Sequence, residues 1–96
     1  MVRQGDLLII AAEQIPQTAV RKNSRVLAEG EATGHKHELT GGLVYEYQGE
    51  LYFRVSEQEK VSLVHPEHKP VEFTSGEYKV VKQREYVPNG WRNVQD

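Results

Sequence analysis

The sequence predicts a single all-β domain, a small antiparallel sandwich or partly closed barrel of about seven to nine short strands. Three observations carry that expectation. Valine, isoleucine, tyrosine, phenylalanine and tryptophan total 23 residues, against 13 for alanine, leucine and methionine. Branched and aromatic side chains suit a pleated, half-buried surface better than a helix. Turn signals recur at Lys22-Asn23-Ser24, Thr33-Gly34, Gly41-Gly42, Gln48-Gly49, Ser56–Lys60, Glu67–Pro70, Ser75-Gly76 and Pro88-Asn89-Gly90. The apolar segments between such signals are four to ten residues long, too short for a packed helical bundle.

Taken in order, the first strand falls at 7–11, and Pro16 separates it from a short extra strand near 18–21. Further strands are expected at 25–31, 35–39, 43–47, 50–55, 61–65, 71–73 and 78–86. The clearest local feature is a hairpin at Gln48-Gly49. A two-residue loop there sets Tyr47 opposite Glu50 and Tyr45 opposite Tyr52. Val44, Leu51, Phe53 and Val55 then share a core face, and Tyr45, Tyr47, Tyr52 and Arg54 the other. Residues 1–87 form the expected domain. Residues 88–96 read as a frayed C-terminal tail, unless Trp91 anchors it by packing onto the domain.

Composition narrows the function. The chain has 96 residues, 12 basic and 14 acidic, for a net charge of −2. Lys79, Lys82 and Arg84 are interleaved with Glu77 and Glu85, so no phosphate-tracking stripe exists and nucleic acid is not an expected partner. There is no cysteine, which excludes disulfides, thiolate metal knots and cysteine nucleophiles. The apolar run 7–12 stops at Glu13, too soon for a secretory core or a membrane span. A soluble, cytoplasmic protein without a membrane partner is expected.

Chemistry is concentrated in four histidines, all in two short segments: His35 and His37, then His65 and His68. Residues two apart on a strand point to the same face, so His35 and His37 can lean toward one ion. Val61, Leu63 and His65 alternate on what reads as an inward row. Pro66 then ends that strand and leaves His68 in the following turn. If the two segments pair across a sheet, three or four imidazoles converge, a set suited to a divalent metal such as zinc. The competing reading is structural, with imidazoles at strand ends bonding turn backbone or one another.

Gly30-Glu31-Ala32-Thr33-Gly34-His35-Lys36-His37, His65-Pro66-Glu67-His68-Lys69-Pro70 and Gln83-Arg84-Glu85-Tyr86 resemble a pattern in small uncharacterised bacterial proteins. The resemblance covers about residues 5–86. It implies a genuine domain and no particular activity. His35 and His37 are also similar to the His-x-His pair of cupins, which are small double-sheet barrels. The pattern departs from cupins at Thr40-Gly41-Gly42, where an acidic ligand is missing, and at Lys79, where a later histidine belongs.

A second class of function rests on Tyr45, Tyr47 and Tyr52. Three tyrosines on one hairpin face, if at least partly exposed, form a candidate ligand-binding platform for a protein or small ligand. The sequence ranks such an interaction module slightly ahead of the metal-binding domain, because structural roles are common for histidines, and it leans away from an enzyme. Ser24, Ser56, Ser62 and Ser75 lack a nucleophile-elbow context, and no glycine-rich phosphate loop occurs. Catalytic carboxylates are not assignable from spacing alone.

Overall fold

The computed structural model describes residues 1–30 and 32–82. Among these residues there are ten strands and no helix. They are β1 (Val2–Gln4), β2 (Leu7–Ala11), β3 (Val20–Lys22), β4 (Val26–Glu29), β5 (Lys36–Leu39), β6 (Leu43–Tyr47), β7 (Glu50–Val55), β8 (Val61–His65), β9 (His68–Phe73) and β10 (Gly76–Lys82). One sheet has the order β1-β2-β10-β7-β6-β3 and the other β4-β5-β8-β9. Every paired neighbour is antiparallel. The two sheets face each other as a sandwich, the all-β architecture the composition predicts. No helix of the described residues is long and apolar enough to cross a membrane.

The core is the sum of the two inner faces. Leu7, Ile9, Val44, Phe53, Val55 and Val80 come from the six-stranded sheet; Leu27, Leu39, Val61, Leu63 and Phe73 come from the four-stranded one. Within β5 the alternation is strict: Lys36 and Glu38 are exposed, while His37 and Leu39 are buried. That is the period-two pattern of a strand with one wet face.

The β6–β7 hairpin has the expected register, with Tyr45 opposite Tyr52 and Tyr47 opposite Glu50. Gln48 and Gly49 have φ of 51° and 81°, the left-handed pair that matches a two-residue turn to strand twist. A side chain at Gly49 would meet open space, so glycine is favoured there by backbone conformation alone.

The strand expectations need four corrections. β1 was not expected at all: Val2–Gln4 is too short and mixed to show a pattern, and pairing with β2 creates it. The extra strand near 18–21 forms at Val20–Lys22, held by β6. β9 starts at His68 instead of residue 71, so His68 begins a strand rather than sitting in the turn. The count is ten strands instead of seven to nine. Residues 83–86 of the last expected strand, the tail and Trp91 lie outside the described residues.

The expectation of an exposed tyrosine face holds for two rings of three. Tyr45 and Tyr47 are half-buried, but Tyr52 is only 8% exposed. Topology supplies the reason. β2 and β3 belong to one sheet but are separated in it by β10, β7 and β6. The connection at 12–19 must therefore cross these strands. Ile15, buried at 5%, donates its backbone N–H to Glu77 Oε1 at 2.8 Å. Glu77 alternates with core-facing Tyr78, so the crossing runs over the outer face, the one that carries Tyr52.

Candidate functional site: a cluster of four histidines

Register brings the two histidine segments together. β5 pairs with β8 so that Glu38 faces Val64 and Leu39 faces Leu63. One step further along that ladder sets His37 level with His65, and their ring centroids are 4.3 Å apart. β8 in turn pairs with β9, with His65 directly opposite His68 and the centroids 4.5 Å apart. His37 and His68 rings are 5.9 Å apart. Three adjacent strands thus contribute one row of imidazoles to the inner face of the four-stranded sheet. His35, just before β5, meets His65 edge-on at 5.7 Å.

The loop that delivers His35 is tied locally. Gly34 N–H donates to Gly30 O, Gly30 N–H donates to His35 O, and His35 N–H donates to Thr33 Oγ1. Gly34 has φ of 72°, a conformation that glycine adopts without a steric penalty. On the other side, Pro66 and Glu67 form the two-residue link between β8 and β9. Neither has positive φ, so this is not a primed turn, and the ladder carries an irregularity between Leu63 and His65.

Depth varies across the cluster. His37 is 1% exposed, while His35, His65 and His68 are half-buried. A groove of about 500 Å³ opens beside the outer rings, lined by His35, Lys36, Glu38, Val64, His65 and Pro66. Glu67 brings a carboxylate to His35, with Oε1 3.4 Å from Nδ1.

Hydrogen bonds assign the protons on two rings. Gln4, only 3% exposed, gives both hydrogens of its amide nitrogen away, to Leu63 O and Lys69 O, each at 2.9 Å. Its Oε1, an acceptor, lies 2.9 Å from His37 Nδ1, so that nitrogen must donate. The neutral ring of His37 therefore carries its lone pair on Nε2. His65 is the reverse: its Nδ1 accepts the Glu67 backbone N–H at 3.0 Å, so the neutral ring carries its proton on Nε2.

These assignments bear on whether the rings could hold a metal. His37 Nε2 presents a lone pair, and its Nδ1–H is held by a carbonyl oxygen, the usual support for a metal-binding imidazole. Among the described residues His68 Nε2 is buried without a hydrogen-bond partner, and His35 Nδ1 is buried without a hydrogen bond, 3.4 Å from Glu67 Oε1. Such atoms cost about 1–3 kcal/mol each unless something satisfies them. As the side chains stand, no group of three among the described His, Asp and Glu residues is arranged to hold one ion. His65 in its neutral form has no lone pair on Nε2 while it keeps the Glu67 bond.

Gln4 is the site residue that sequence reasoning missed. A lone glutamine between Arg3 and Gly5 carries no motif, and its three partners are 33, 59 and 65 positions away. The tyrosine face lies on the opposite side of the other sheet. There the Arg54 guanidinium stands 5.5 Å over the Tyr45 ring, and Lys79 Nζ stands 6.0 Å from the centre of the Tyr52 ring.

No curated protein and no solved structure matches the chain. The comparisons show no cupin likeness. Residues 3–83 match the model of a domain of unknown function, DUF8820, and the chain belongs to that family.

Proposed function

We propose that this β-domain is a metal-binding module that takes a divalent transition metal such as zinc through His35, His37, His65 and His68. The observation that carries the reading is the row of imidazoles on β5, β8 and β9, in which a buried ring nitrogen, His68 Nε2, has no hydrogen-bond partner. Imidazole nitrogen is a good ligand for zinc, and a bound ion would satisfy that nitrogen. His37 Nε2 and His68 Nε2 are the proposed first ligands, with His35 Nδ1 nearer the groove. His65 joins them only by giving up the Glu67 N–H, a change that would move the Pro66–Glu67 turn. When bound, the ion supplies Lewis acidity or a structural tie. The chain's own residues hold the rings and limit access to the groove side.

The tyrosine face is the weaker reading. Tyr52 is covered, and one side of Tyr45 already carries Arg54.

The test is a zinc titration at neutral pH, followed by imidazole NMR and by thermal melting. The expected outcome is a shift of the His37 and His68 ring signals that ends at one equivalent. The melting temperature should rise, with about 2.7 kcal/mol of added stability at a free zinc concentration of 100 times Kd. Ring signals and melting temperature that ignore zinc would remove the metal reading.

A further inference from the structure

We propose that Gln4 is the positioning residue of the histidine site, and that β1 acts through it as a latch that keeps His37 in its ligand-ready tautomer. The orienting role stands on geometry; its effect on metal affinity rests on the function proposed above.

β1 belongs to the six-stranded sheet, yet its buried side chain reaches the other sheet. There one amide engages all three strands that carry the row of imidazoles. Its oxygen takes the His37 proton on β5. Its nitrogen donates to Leu63 O on β8, two residues before His65, and to Lys69 O on β9, one residue after His68. This is where the β8–β9 ladder is irregular and where Pro70 brings no N–H.

The amide has one tenable orientation. Reversed, its oxygen would face two carbonyl oxygens at 2.9 Å and lose both hydrogen bonds. With the oxygen directed at Nδ1, a neutral His37 has its proton on Nδ1 and its lone pair on Nε2. Without Gln4, an imidazole in water favours neither nitrogen strongly, and part of the population would hold a proton where the metal must bind. Outer partners of metal-bound histidines change affinity by about 10–100-fold for this reason.

A long-range ¹H–¹⁵N spectrum of the metal-free protein reads the tautomer directly. The wild type should show His37 protonated on Nδ1. Gln4→Met, which keeps the length of the side chain and removes donor and acceptor, should lose that preference. It should also bind zinc about 10–100-fold more weakly while retaining a β-type circular dichroism spectrum. A wild-type His37 protonated on Nε2 overturns the proposal, and this readout needs no variant. A folded Gln4→Met protein with the same tautomer and the same zinc affinity overturns it as well. A wild type with the Nδ1 proton, lost in Gln4→Met, that takes up no zinc would refute the metal function and leave the orienting role supported.

Discussion

The β8–β9 hairpin joins two ring clusters of similar packing and different chemistry. At one end Val61 pairs with Phe73, and Phe73, Phe53 and Tyr78 pack with centroids 4.9–5.2 Å apart. At the other end His65 pairs with His68, and four imidazoles pack at 4.3–5.9 Å. The aromatic end bridges the two sheets and has one polar atom to satisfy, the Tyr78 hydroxyl, which donates to Thr74 O at 2.8 Å. The histidine end has eight ring nitrogens and takes a glutamine from the opposite sheet to orient one of them. Ring packing stabilises both ends. Only at the second does it leave nitrogens that a ligand would satisfy.

The largest expected effect breaks the aromatic end. Phe53 is fully buried and touches both other rings, so Phe53→Ala should destabilise the fold by about 3–5 kcal/mol in urea denaturation. A loss below about 1 kcal/mol would mean that this end is not the stabilising one. A folded Phe53→Ala sample should still respond to zinc, since no histidine touches Phe53 among the ring contacts described.

Acid should act on the other end. An imidazole must be neutral to hold a metal, so protons compete with zinc for the ring nitrogens. The rise in melting temperature that zinc produces at pH 7.5 should shrink at pH 5.5. A rise of equal size at both values would contradict ligation by histidine.

The smallest stability effect is the sharpest functional one. His68 Nε2 has no hydrogen-bond partner among the described residues, so His68→Leu removes a buried polar atom and keeps apolar bulk. Stability should change by less than about 1 kcal/mol, in either direction, while zinc affinity is lost. Loss of both together would make His68 a structural residue and align the histidine end with the aromatic one.

Much of this molecule is legible in local patterns. The alternation of Lys36, His37, Glu38 and Leu39 assigns His37 to the inner face. Val61, Leu63 and His65 do the same for β8. The turn pair Gln48-Gly49 determines the register of Tyr45 against Tyr52. These features depend on the period of a strand and on the backbone conformation of a turn, and both are written within a few residues.

What only the tertiary structure decided depends on which strand lies beside which. Tyr52 looks like a surface residue in its hairpin but is only 8% exposed, on a sheet face where the 12–19 connection bonds Glu77 of the neighbouring β10. His68 reads as a turn residue until pairing with His65 draws it into β9. Gln4 has no local signal, because its role arises from one sheet reaching across to the other over separations of up to 65 residues. Strand period assigns a face to each residue. The meeting of faces is a long-range choice, set by burial of the shared core and by buried polar groups finding their partners.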